Sequence, residues 1–156
     1  MKTEKKVKEK SMKKSKQKID PKVGQVAEGK TLKFESAKAI NSDELKVFEF
    51  DGTTQEIKIE TREFSAVCPF SGLPDIATLI IEYTPTEGLA IELKALKYYL
   101  MSFRNVGIYQ EGVTKRIIDD LTAVLKTKNV KVTTIYNTRG GMDVTCVETG
   151  HDYLAF

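Results

Sequence analysis

Apolar residues fall into separate runs along the chain, and the spacing inside each run assigns it an element. In residues 55–61 (QEIKIET), Ile57 and Ile59 stand two apart with charges between them, the period of a half-buried strand. The run continues through Phe64 and Val67 to Cys68-Pro69. Residues 76–83 are apolar and β-branched, which predicts a second strand, stopped by Thr84-Pro85 and Gly88. The link Pro69-Phe70-Ser71-Gly72-Leu73-Pro74 is short, so the two strands pair antiparallel. Cys68 then ends one strand and Asp75 begins the next, as neighbours on one edge of a sheet.

Leu89, Leu93, Leu96, Leu100 and Phe103 recur at helical spacing and predict an amphipathic helix. Asn105 and Gly107 end it, glycine being suited to the left-handed backbone past a helix terminus. A second helix runs from about residue 109 to 126, with Val113, Ile117, Leu121, Val124 and Leu125 on one side. Residues 131–136 (KVTTIY) and 142–147 (MDVTCV) are two more strands, joined by the glycine turn Asn137-Thr138-Arg139-Gly140-Gly141. The order ββααββ gives an α+β fold with an antiparallel four-stranded sheet and two helices. Helices on one face leave the edges and the other face open, so a homo-oligomer is expected.

Charge divides the chain in two. Residues 1–25 hold ten lysines against Glu4, Glu9 and Asp20, a surplus of +7. The net charge of the whole is +3, which leaves −4 on the remainder. A lysine-rich segment with few apolar residues cannot offset the entropy of ordering it, so residues 1–25 read as a disordered tail and 26–156 as one folded domain. The tail is either a solubilising extension or a sequence-blind contact with a polyanion. No apolar run approaches the ~20 residues of a membrane span, and no secretory h-region is present. With two cysteines, Cys68 and Cys146, a disulfide framework is excluded and a cytoplasmic setting is expected. The single histidine, His151, reads as solvent-exposed, and no cluster has zinc-ligand spacing, so no metal is expected. A GxGxxG fingerprint is absent, which gives a Rossmann reading no support.

Three blocks together resemble one family: CPFSGLPD at 68–75, ELKALKYY at 92–99 and SFRNVGIYQEG at 102–112. They are similar to the single-module NADPH-dependent 7-cyano-7-deazaguanine reductases (QueF), the nitrile reductases of queuosine tRNA-modification biosynthesis. The resemblance covers roughly residues 30–147 and implies the tunnelling fold, in which subunits assemble into barrels with active sites between them. It also implies that Cys68 is the nucleophile that turns the nitrile into a covalent thioimide, an easier hydride acceptor. Alone, a cysteine at an apolar strand end reads as a small buried hydrophobe.

Asp75 matches the family's proton donor to the nitrile nitrogen, a role that requires a raised pKa. Glu111 matches the carboxylate that holds the deazaguanine ring, for which two parallel hydrogen bonds suit the residue type. Ile91, Glu92 and Leu93 match a further substrate-contacting stretch. Gln110 stands where the family usually has histidine, and it cannot change charge. Lys94 and Lys97, three apart on one helix face, match the site of NADPH phosphates, with Arg139 on the glycine turn as a third candidate. Without the motif the lysines read as a solvated face. Two alternatives stay open: an amidinotransferase of the archaeal type acting on modified tRNA, and a non-catalytic tunnelling-fold binding protein.

Overall fold

The structure is a computed structural model and describes residues 32–150. The lysine-rich segment 1–25 and His151 lie outside the described residues.

A four-stranded antiparallel sheet organises the described chain, its strands lying side by side in the order 57–67, 74–83, 130–136 and 145–149. Two 3-10 turns, Ala37–Ala39 and Ser42–Glu44, precede the short strand β1 (Val47–Glu49). The long strands β2 (Ile57–Val67) and β3 (Pro74–Tyr83) form the predicted hairpin. After the short strand β4 (Leu89–Ile91) come helices α1 (Leu93–Met101) and α2 (Gln110–Leu125), then strands β5 (Val130–Tyr136) and β6 (Thr145–Thr149). The ββααββ order of the main elements matches the sequence pattern. β1 and β4 pair with each other as a separate small ribbon that the pattern did not reveal.

Strand β2 reaches the Cys68 loop as expected, but its alternation is broken by a bulge. Its register slips between Thr61 and Phe64. One extra residue reverses which parity faces inward: Ile57, Ile59 and Thr61 are half-buried before the slip, Phe64 and Ala66 fully buried after it. A strict period of two therefore holds only to Thr61, while the strand itself runs on to Val67, beside the Cys68 that the sequence places at its end.

Helix α1 starts at Leu93, so Leu89 belongs to a strand and not to the predicted helix. Two devices fix that boundary. The Glu92 carboxylate accepts from the Lys94 and Ala95 amides at 2.9 and 2.7 Å, capping the first turn. The Glu92 amide donates sideways to the Lys46 carbonyl at 2.9 Å, which commits the preceding residues to the β1–β4 ribbon. Gly107 also departs from expectation, since it is not left-handed. Its lack of a side chain serves packing instead: a Cβ there would come within 2.3 Å of the Phe34 ring. Strand β6 begins at Thr145 and not at Met142, because Met142 closes the turn with Arg139.

The core lies between the sheet and the two helices. Phe64, Leu79, Ile81 and Val132 from the sheet meet Tyr99, Phe103, Ile117 and Leu121, all essentially without exposure. Phe103 makes edge-to-face contacts with Phe64 and Tyr99, at centroid distances of 5.4 and 5.3 Å. Each such pair adds about 0.5–1.5 kcal/mol beyond area burial. The opposite face of the sheet carries Ile76, Ile135 and Val147 in the open.

Candidate active site

The β2–β3 loop is built to present Cys68. Its amide donates to the Leu73 carbonyl at 2.9 Å, and its own carbonyl accepts from the Gly72 amide at 2.8 Å. So tight a return needs a left-handed residue, which Gly72 supplies at φ 67°. Asp75 stands opposite Ala66 at the start of β3, and Cys68 and Asp75 are 8% and 7% exposed. The structure therefore brings the two together at the mouth of one loop, as their spacing predicts.

A third element closes over the same edge. β5 runs antiparallel to β3 with Tyr136 opposite Ala77, so the β5–β6 connection passes beside Asp75. That connection ends in a two-residue turn in which Gly140 and Gly141 have φ 58° and 78°, and Arg139 and Met142 exchange hydrogen bonds of 2.9 and 3.0 Å. Two left-handed residues in a row are the mark of a type I′ hairpin turn, whose twist matches the strands. Arg139 at its corner donates from Nη1 to Asp75 Oδ1 at 2.5 Å and from Nη2 to Ser71 Oγ at 2.7 Å. Arg139 is thus bound to the catalytic candidates and not grouped with Lys94 and Lys97.

The two cysteines differ in electrostatics. Burial pushes the Cys68 thiol up, but the Ser71 hydroxyl, the Ser71 and Phe70 amides and the Arg139 guanidinium outweigh it and hold the thiol below its ordinary value. Cys146, half-buried against the core, is pushed up by burial and by Glu111. The reactive thiolate is favoured at Cys68.

The first turn of α2 completes this end. Gln110 borders one cleft with Asp75, Tyr136 and Arg139, and its carbonyl accepts from the buried Tyr136 hydroxyl at 3.3 Å. Glu111 follows it, exposed, where the positive end of the helix dipole favours a carboxylate. Ser71 and Tyr136 were not singled out in the sequence. The Ser in CPFSG was a local signal for the first; the second depends on strand register alone.

Ile91, Glu92 and Leu93 lie at the other end of the hairpin. The Ile91 amide donates to the Tyr83 hydroxyl at 3.0 Å, and Tyr83 pairs with Ile57, whereas the Cys68 end is marked by Val67 opposite Pro74. The two ends are roughly 30 Å apart at about 3.3 Å per strand residue. The Ile91 side chain is in the core, the Glu92 carboxylate caps α1, and Leu93 is 62% exposed beside an apolar pocket lined by Phe48, Ile57 and Ile59. Lys94 and Lys97 are exposed on α1. The Lys97 ammonium pairs with Glu63, which the β2 bulge projects, and Arg104 borders the same cleft. The Lys94 ammonium sits 6.0 Å from the Tyr98 ring centre.

Among the described residues, no three His, Cys, Asp or Glu side chains gather as a metal site, and no helix is long and apolar enough to cross a membrane.

Comparison with known proteins gives three findings. A family model described as QueF-like protein matches residues 74–153, a span that starts just after the Cys68 loop and includes Asp75, both helices and Arg139. The NADPH-dependent 7-cyano-7-deazaguanine reductases of Thermotoga petrophila and Thermotoga maritima are each 60% identical over 119 residues, 76% of this chain and 87% of theirs. The crystal structure of an archaeosine synthase QueF-like protein in the apo form aligns with TM-score 0.55 and 26% identity, covering 60% of this chain and 90% of that one.

Proposed function

The chain belongs to the QueF family, and from that premise we propose how it works as an NADPH-dependent 7-cyano-7-deazaguanine reductase of queuosine biosynthesis. Cys68 adds to the nitrile carbon: a carbon–sulfur bond forms, one π bond of the C≡N group breaks, and its electron pair moves to nitrogen. Asp75 delivers the proton that nitrogen then needs. The product is a thioimide on Cys68. Gln110 and Glu111, at the same end of the fold, orient the deazaguanine ring, Glu111 by accepting hydrogen bonds from its N–H edge.

NADPH supplies hydride when it is bound. Lys94 and Lys97 suit its phosphates, because both ammonium groups are on an accessible helix face and Arg104 adds a third cation nearby. A phosphate there would take the place of the Glu63 carboxylate on Lys97.

Ile91, Glu92 and Leu93 cannot reach Cys68 of their own chain across the length of the hairpin. Their assignment to the substrate therefore requires a neighbouring subunit to bring its 91–93 stretch to this chain's Cys68. A homo-oligomer with sites between subunits satisfies both, and the exposed Ile76, Ile135 and Val147 suit burial in such an assembly.

The observation that carries the activity is the 60% identity to two reductases over most of their length. The likeness to an archaeosine synthase QueF-like structure, at 26% identity, concerns the shared fold. The experiment is direct. With 7-cyano-7-deazaguanine and NADPH, the protein should develop thioimide absorbance, consume NADPH and release the amine without ammonia or tRNA. Adduct formation with NADPH untouched, and amidine release on adding ammonia, would identify an amidinotransferase instead.

A further inference from the structure

We propose that Glu63, carried on the β2 bulge, is an internal counterion that competes with cofactor phosphate for Lys97 and so speeds cofactor exchange between two hydride transfers. The inference rests on the reading of Lys94 and Lys97 as the phosphate site of NADPH.

The need for exchange follows from the reaction. Conversion of C≡N to CH₂–NH₂ adds two hydrides and two protons, and each NADPH gives one hydride. The oxidised cofactor must therefore leave, and a second NADPH enter, while the half-reduced substrate stays in place. A site that held phosphate too firmly would stall at that point.

The bulge supplies the competitor. The register of β2 slips between Thr61 and Phe64, and the Glu63 amide donates to Thr61 Oγ1 at 3.2 Å. That bond fixes the turned-out backbone, from which the Glu63 carboxylate reaches across to α1 and pairs with the Lys97 ammonium. Arg104 borders the same cleft. Glu60, on the same strand, is engaged elsewhere, 3.8 Å from Lys58 Nζ and from Arg62 Nε. The Lys94 ammonium lies toward the Tyr98 ring. Glu63 is thus the carboxylate set on the phosphate-binding face of the helix.

Charge and exposure then give the role. Lys97, and Arg104 from further away, hold the Glu63 carboxyl below the ordinary carboxylate range, so it is anionic at neutral pH. Lys97 and Arg104 against Glu63 leave one positive charge in surplus, which still attracts an anion. The side chains of Lys97 and Glu63 are 48% and 67% exposed, so a phosphate can arrive and depart through solvent. Phosphate and the Glu63 carboxylate carry the same sign and compete for one ammonium. A phosphate that wins displaces the carboxylate, but the bulge keeps it tethered close by, at high effective concentration. Each time the phosphate loosens, Glu63 can re-form the pair before the phosphate returns. The consequence is weaker binding and shorter residence of the cofactor.

The test uses the full-length protein in a Cys68→Ala background, which cannot form the thioimide, with 7-cyano-7-deazaguanine present to fill the substrate site. NADPH binding is followed by its fluorescence, and its dissociation by stopped-flow chase with excess NADP+. Glu63→Gln, which keeps the shape and removes the charge, should tighten the NADPH Kd about three- to fivefold, the scale of an exposed ion pair. Nearly all of that gain should be slower dissociation. Glu63→Ala should act in the same direction. Glu60→Gln removes the same charge from the same strand and should change neither quantity. With Lys97→Met already in place, Glu63→Gln should have little further effect, because the two residues act through one contact. In protein that retains Cys68, Glu63→Gln should lower the NADPH KM and strengthen inhibition by NADP+. An unchanged Kd in both Glu63 variants would reduce the contact to a surface ion pair and overturn the inference. A weakened Kd would also overturn it, by making Glu63 a support that positions Lys97. If Lys94→Met and Lys97→Met together leave NADPH binding as in the parent, the reading of these lysines as the phosphate site is what fails.

Discussion

At the scale of single residues, Asp75 is the group whose role can be isolated most cleanly. Asp75→Asn keeps the shape and leaves an acceptor for Arg139, but it removes the acid proposed to protonate the nitrile nitrogen. Turnover should fall by about 10²- to 10⁴-fold, the range of general acid catalysis, while Cys68 stays alkylatable by iodoacetamide. Turnover within a few-fold of wild type would remove Asp75 from the mechanism. The neighbourhood of Cys68 and Asp75 was legible because a six-residue link between two strands leaves little choice of geometry. Arg139 was legible as a candidate on the glycine turn but not as their partner. It lies 64 positions from Asp75, and only the pairing of Ala77 with Tyr136 brings it there. Side-chain periodicity identifies which strands exist, and it does not choose which of them lie side by side.

At the scale of elements, the departures from the sequence pattern share a physical origin: backbone hydrogen bonds to distant partners override local spacing. Leu89 sits four residues before Leu93 and fits a helix, yet its segment pairs with Val47–Glu49. The β2 bulge likewise breaks the alternation partway along its strand by reversing the parity of burial. Helix α2 was read almost to the residue, since its apolar stripe packs on the sheet along its whole length. Glu92 shows how one residue can serve an element before it serves a site. Both of its carboxylate oxygens cap α1, so Glu92→Ala should destabilise the fold by about 1 kcal/mol whatever it does to substrate, and Glu92→Asp, a preferred capping type, should recover part of that loss. Chemical denaturation of the two variants, compared with the wild type, checks this. Equal stability of Glu92→Ala and wild type would mean that the cap contributes nothing and that the residue is held there for binding alone.

At the scale of the whole molecule, the candidate site is divided between the two ends of the hairpin. Cys68, Asp75, Gln110, Glu111 and Arg139 belong to one end, and Ile91, Glu92 and Leu93 to the other, beside Tyr83 and Ile57. A stiff antiparallel sheet cannot fold its own ends together, so no motion within one chain assembles the full set. Assembly between copies can. Two inactive variants test it, Cys68→Ala from one end and Leu93→Asp from the other, the latter placing a charge beside the apolar pocket that Leu93 borders. Each alone should lack turnover while keeping the oligomer. Dissociated and reassociated together, or co-expressed, they should regain activity. Sites that draw Cys68 from a Leu93→Asp subunit and Leu93 from a Cys68→Ala subunit would be intact. Mass spectrometry should then find the thioimide on Leu93→Asp chains only, because those chains alone carry the thiol. Regained activity with an adduct on that chain requires the two halves of a site to come from different subunits. If mixed oligomers form and remain inactive, the 91–93 stretch acts within its own chain or not at all, and the division of the site between subunits is wrong.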